Sequence, residues 1–125
     1  MSEPNKFEIT KKLENDVSIV YIGGYLDAHT APELENTKNN VIISGINKII
    51  VNFSSLDYIS SAGLGVFMAF IEDIRGSGGD IKMTSMKPKV FSVFDLLGFP
   101  VLFDIEVDED KAMEKFLNGI VKGND

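Results

Sequence analysis

Residues 52–75, NFSSLDYISSAGLGVFMAFIEDIR, constrain the fold most, because the hydrophobic pattern changes period within them. They follow Ile49, Ile50 and Val51, a short β-branched run that fits a buried strand. After Phe53 the chain reads as a polar turn, and at Ser60-Ser61 a helical pattern begins. Serine hydroxyls suit that point, since they accept from amides that the first helical turn leaves unpaired. At about 100° per residue, Leu64, Phe67, Phe70, Ile71 and Ile74 fall on one side and form a core stripe. The opposite side carries Ser61, Ala62, Gly65, Ala69, Glu72 and Asp73. A face that small lets another backbone approach closely, with a hydroxyl at its N-terminal edge.

The remaining segments alternate between strand and helix patterns. Residues 7–13 read as a strand, 14–16 as a turn, and 17–25 as a second strand antiparallel to the first. Gly23-Gly24 marks a bulge or a close backbone approach. Residues 26–30 form a loop, and Thr30 or Asp27 caps a helix over 31–43 with Pro32 in its first turn. Leu34, Val41 and Ile42 are its apolar positions, and Gly45 ends it. Gly76-Ser77-Gly78-Gly79 turns the chain into a short strand over 81–84. Pro88 opens a helix with Val90, Phe91, Phe94 and Leu97 at helical spacing and Gly98 as its C-cap. Residues 103–105 are a last strand and 109–121 a last helix, with Ala112, Met113, Phe116, Leu117 and Ile120 apolar. The acidic run 106–110 favours that helix's N-terminus.

The order β-β-α-β-α-β-α-β-α predicts an α/β fold: a mixed, mostly parallel sheet of five strands with four helices. The first hairpin supplies the antiparallel part. A chain of 125 residues fits one domain with a real core, residues 1–5 being a flexible tail.

Composition removes several function classes. The net charge of -7 argues against a nucleic-acid or anionic-membrane surface. The absence of cysteine excludes a disulfide framework or thiolate zinc site and suits the cytosol. No run approaches the length of a membrane span and the N-terminus has no apolar signal core, so a cytoplasmic protein is expected. His29 is the only histidine, so a Ser-dependent hydrolase would have to pair it with Ser61; a loop histidine with no catalytic role is the simpler reading. Gly76 to Gly79 has the wrong spacing for a phosphate loop, and no Lys-Ser/Thr follows it. With no metal-ligand cluster standing out, the expectation is a binding protein: no enzyme, no cofactor, no metal.

Two segments carry a family resemblance. Asp57-Tyr58-Ile59-Ser60-Ser61-Ala62-Gly63-Leu64-Gly65-Val66, after a strand ending in Asn52-Phe53-Ser54, resembles the signature of the STAS domain. More narrowly it is similar to single-domain bacterial anti-sigma factor antagonists. Gly24-Tyr25-Leu26-Asp27-Ala28-His29-Thr30-Ala31-Pro32-Glu33-Leu34 resembles that family's Gly-x-Leu/Ile-Asp-x-x-Thr-Ala-x-x-Leu segment. The resemblance covers residues 7–120.

The resemblance implies partner switching. The unmodified protein would bind an anti-sigma factor that is also a serine kinase, releasing the sigma factor. The kinase would phosphorylate a serine at the start of the central helix, and a serine phosphatase would restore it. Aligned on Gly63-Leu64-Gly65, that serine falls on Ser61. Many members have aspartate just before it, where this chain has Ser60, which makes Ser60 an alternative acceptor. The plainer reading of both serines is helix capping alone. Asp27 likewise either caps the Pro32 helix or lies in a loop beside Ser61 that joins the partner surface. That surface is expected to comprise Asp27, Thr30, Ser60, Ser61, Ala62, Gly65 and Ala69. A monomer is expected, the oligomeric state being left open. The alternative function is a STAS subunit of another signalling or lipid-transport assembly, with Ser61 unmodified or differently used.

Overall fold

The computed structural model describes residues 6–118, so the expected tail over 1–5 and the last helix beyond residue 118, Ile120 included, lie outside the described residues. The described chain runs β1 (Glu8–Glu14), β2 (Val17–Leu26), α1 (Ala31–Ile43), β3 (Lys48–Ile59) and α2 (Ser61–Gly76). It continues through β4 (Asp80–Thr84), α3 (Pro88–Leu96), a 3-10 turn (Phe99–Val101), β5 (Asp104–Glu106) and α4 (Glu109–Leu117). The five strands lie in sequence order, β1 antiparallel to β2 and every later neighbour parallel. The order of elements and the mixed sheet are those read from the sequence.

Local chemistry explains the joints. Asn15 and Asp16 sit at φ 52° and 63°, the two positive values that a tight two-residue hairpin demands. Gly24 has φ 84°, and a Cβ there would lie 1.6 Å from the Lys6 carbonyl oxygen. The expected close approach is therefore real: no side chain fits. Gly98 takes the left-handed conformation that ends α3, at φ 78°.

Side-chain alternation sorts the core into two layers. Val20, Ile22, Ile49, Val51, Ile81 and Met83 bury one sheet face under α1, α2 and α3, where the stripe Leu64, Phe67, Phe70, Ile71, Ile74 is buried as expected. Phe53, Phe67, Phe94 and Phe99 tie β3, α2, α3 and the 3-10 turn together, with successive ring centroids 5.4–6.4 Å apart. Among the described residues the other face is covered by α4 alone, through Ala112, Met113 and Phe116 on Val17, Ile19 and Ile50. One short helix cannot cover a five-stranded sheet. The described residues leave part of that face open.

Several local expectations are corrected. The polar turn expected after Phe53 is strand: β3 continues to Ile59, because extra residues in β3 are absorbed opposite Tyr21 to Gly23 and opposite Gly24 to Tyr25 of β2. Ile42, Phe91, Leu97 and Leu117, read as apolar positions of their helices, are exposed. On α1 the buried place falls to Lys38, whose stem packs inward while its ammonium meets Asp73 of α2 at 3.2 Å. Neither Ser60 nor Thr30 makes a side-chain cap bond.

Candidate functional site

The C-terminal ends of β2 and β3 bring the sequence-predicted residues together. Ser60 closes β3, and its amide donates to the carbonyl of Leu26 at 2.9 Å, which clasps the two strand ends. The Asp27 loop and the first turn of α2 are therefore neighbours. Asp27 is held by its own loop: one carboxylate oxygen accepts from the amides of His29 at 2.9 Å and Thr30 at 3.1 Å. The Thr30 hydroxyl donates to the carbonyl of Tyr25 at 2.8 Å and accepts from the Asp27 amide at 3.0 Å. Both residues fix the loop, which supports the capping reading of Asp27 alongside its position beside the serines.

The two serines differ sharply in access. Ser60 is the N-cap with extended backbone (φ -102°, ψ 173°), but its hydroxyl oxygen is buried and has no hydrogen-bond partner. Ser61, the first residue of α2, is exposed. Farther along the helix Gly65 is exposed, while Ala62 and Ala69 are half-buried. Glu72 and Asp73 at the far end are also exposed, Asp73 pairing with Lys38 on α1. Of the small residues on this face, Ser61 and Gly65 are thus the exposed ones.

Gly63 and Gly65 look alike in the sequence and differ in space. A Cβ on Gly63 would meet Leu26 Cγ at 2.7 Å and Ile59 Cγ1 at 3.2 Å, whereas one on Gly65 meets nothing within 4 Å. Gly63 is what seats α2 directly on the two strand ends. Gly63→Ala is expected to destabilise by about 1–3 kcal/mol through overpacking. Gly65→Ala should instead stabilise by about 0.5–1 kcal/mol, since alanine has the better helix propensity. Urea unfolding of the two variants checks both signs.

Two features near the site escaped sequence reading. Asp57, on β3, pairs with Lys87 at the start of α3; the Lys87 hydrogen bond holds its carboxyl below the usual value of 3.8 against the opposing desolvation, with the charges of Lys87 and Lys89 assisting. Tyr25 and Tyr58 are cross-strand partners whose rings lie 5.4 Å apart, and Tyr58 is 47% exposed. Polar flanks hid the latter: Tyr58 was assigned to a turn, so its register could not be read. Among the described residues, no group of His, Cys, Asp and Glu is arranged to hold a metal ion, and no helix is long and apolar enough to cross a membrane.

A strand–helix corner seated on glycine, with one exposed serine and one whose hydroxyl oxygen is buried, sits within a family match. The model of the STAS domain matches residues 8–112. The chain belongs to the STAS domain family. It is 26% identical over 104 residues to the anti-sigma-B factor antagonist of Bacillus subtilis, covering 83% of this chain and 94% of that protein. The crystal structure of TM1081 from Thermotoga maritima superposes with a TM-score of 0.82 at 27% identity, over 86% of this chain and 92% of that one. The Bacillus cell fate determinant SpoIIAA in its phosphorylated form superposes with a TM-score of 0.68 at 20% identity, over 89% and 99% of the two chains, and shares the fold.

Proposed function

We propose that this STAS protein is a cytoplasmic anti-sigma factor antagonist, made of one domain. Its unmodified form binds an anti-sigma factor that is also a serine kinase, and phosphorylation of Ser61 ends the contact. A serine phosphatase resets it. Family membership and the relative from Bacillus subtilis support the regulatory role. In SpoIIAA the same fold accommodates a phosphorylated state.

The observation that carries the choice of acceptor is the difference in access: Ser61 is exposed, whereas the Ser60 oxygen is buried. A kinase transfers the γ-phosphoryl of ATP to a serine oxygen, ADP departs, and the hydroxyl proton goes to the kinase's base. That in-line attack needs an oxygen that can leave the protein surface and enter another active site. Ser61 meets this condition; Ser60 would first have to unseat the N-cap. The protein supplies the hydroxyl and the kinase supplies the catalysis, so the protein acts here as substrate and ligand.

The test is phosphosite mapping after incubation with ATP and the kinase purified on its activity toward this protein. One phosphate on Ser61 is expected, retained in Ser60→Ala and absent in Ser61→Ala. A phosphate found only on Ser60 overturns the assignment. Binding should use the Asp27–Thr30 loop and the Ser61, Ala62, Gly65, Ala69 face, so Gly65→Arg should weaken it while the fold survives.

A further inference from the structure

We propose that the same partner holds a basic side chain, an arginine, against the Tyr25–Tyr58 pair on the sheet face that, among the described residues, α4 leaves open. The inference rests on the partner reading above for the identity of the occupant. It concerns a surface on the opposite side of the sheet from α2.

The face is defined by register. Ile19 and Ile50 lie under α4, and beyond them the partners on the same face are Tyr21 with Asn52, Gly23 with Ser55, and Tyr25 with Tyr58. The middle pair carries almost no side chain, so a cavity of about 190 Å³ opens over Gly23, Ser54 and Ser55. Tyr21 and Asn52 bound it at one end, and the Tyr25 and Tyr58 rings, tilted 31° to one another, follow along the strands at the other. Rigid aromatic rings beside a cleft with a small-residue floor form an anchor site: they offer large contact area at little cost in side-chain entropy.

Charge selects the occupant. Glu8 lines the cavity, and Glu109 accepts at 2.8 Å from Nδ2 of Asn52, another lining residue. The chain as a whole carries a formal charge of -7. A tyrosine on this face already receives a cation, since Lys12 Nζ stands 5.8 Å from the Tyr21 ring centroid. Among the described residues, cation contacts fall on Tyr21 and Phe116 and none on Tyr58. A planar guanidinium stacks on such a ring and is weakly hydrated, which favours arginine over lysine. Tyr58 precedes Ser61 by three residues, and the Ser60 amide is clasped to Leu26, the residue after Tyr25. One partner can therefore straddle the strand ends and touch both surfaces.

Two arms test this. In the first, full-length labelled protein is titrated with N-acetylarginine amide and, as the uncharged match, N-acetylnorleucine amide, following amide chemical shifts. Saturable shifts at Gly23, Tyr25, Ser55 and Tyr58 are expected for the arginine probe only, kept in Tyr58→Phe and lost in Tyr58→Ala. Equal shifts with both probes, or arginine shifts spread over the acidic surface and missing Tyr58, overturn the proposal. In the second arm, affinity for the Ser61-directed kinase should fall about tenfold or more in Tyr58→Ala and stay near wild type in Tyr58→Phe. If both variants bind as wild type does, the aromatic anchor is wrong and the kinase reading stands. If the arginine probe docks but no kinase acts on Ser61, the kinase reading fails and the site remains. A dimer of this chain that dissociates on Tyr58→Ala assigns the face to a second copy and overturns the proposal.

Discussion

Lys82→Ala is expected to destabilise the protein by about 3–5 kcal/mol, the largest loss from any single charged residue described. Lys82 has no exposed side-chain surface, and its ammonium lies between Asp104 at 2.7 Å and Asp80 at 3.2 Å. Those carboxylates are 5% and 0% exposed. The Phe116 ring of α4 covers the ammonium, 4.7 Å from the centroid. Outer partners complete an alternation of sign: Arg75 meets Asp80 at 2.8 Å, and Lys115 meets Glu106 at 2.7 Å and Asp104 at 3.5 Å. Removing the central cation leaves Asp80 with Arg75 alone and Asp104 with Lys115 alone, so much of the desolvation penalty of two buried carboxylates goes uncompensated. A surface lysine would lose almost nothing.

The same cluster sets a pH dependence. Burial alone would raise the Asp104 carboxyl; the Lys82 hydrogen bond and charge, helped by Lys115, outweigh burial and hold it below its ordinary value of 3.8. A carboxyl lowered by folding contributes stability that is complete above 3.8 and is lost as the pH falls through the lowered value. Lys115 works at the other limit. The Glu106 hydrogen bond raises it above 10.5, so its contribution is complete below that value and is lost as the pH climbs through the raised one. Urea unfolding of wild type and Lys82→Ala should show the gap at pH 7 narrowing from above pH 3.8, as the stranded Asp104 carboxylate of the variant is neutralised, and narrowing further below 3.8 as the wild-type carboxyl titrates. A gap that stays constant into acid would mean that lost packing against Phe116, and not stranded charge, sets the cost.

This cluster also marks the limit of what the sequence discloses. Helix and strand patterns repeat within a few residues, so the strand–helix corner at Ser61 and the α2 core stripe are legible from neighbours alone. Lys82 pairs with Asp104 across β4 and β5, twenty-two positions away, and nothing local marks either as buried. The same holds for Lys38 with Asp73. Residues 54–58 were misread for a related reason: two bulges break the period-two alternation on which strand reading depends, and their serines look like a turn. The site residues were legible as a constellation because their order is a family signature. Their differences were not. Which serine is open, and which glycine is crowded, depends on how Leu26 and Ile59 pack beneath the first turn of α2.

Ser61→Asp is expected to weaken kinase binding by about a hundredfold while melting near the wild-type temperature, and Ser61→Ala to bind without interruption by phosphorylation. Ser61 opens α2, where backbone amides lack intrahelical partners and the helix dipole is positive. No acidic residue occupies that first turn, so a phosphate of about -1.5 to -2 meets no like charge on its own helix turn. The helix tolerates the added charge and gains about 0.3–1 kcal/mol from it. The partner does not. An interface packed on Ala62 and Gly65 must strip water from the anion, and an effective penalty of a few kcal/mol per unpaired ion corresponds to about two decades of affinity. The fold therefore remains while the contact is lost, which is what a reversible switch requires. Calorimetric titration of the kinase with wild type, Ser61→Asp, Ser61→Ala and the phosphoprotein, beside thermal melts of all four, separates the outcomes. A phosphoprotein melting many degrees below wild type would make unfolding the switch. Unchanged affinity for a well-folded Ser61→Asp variant and for the phosphoprotein would remove Ser61 from the partner surface.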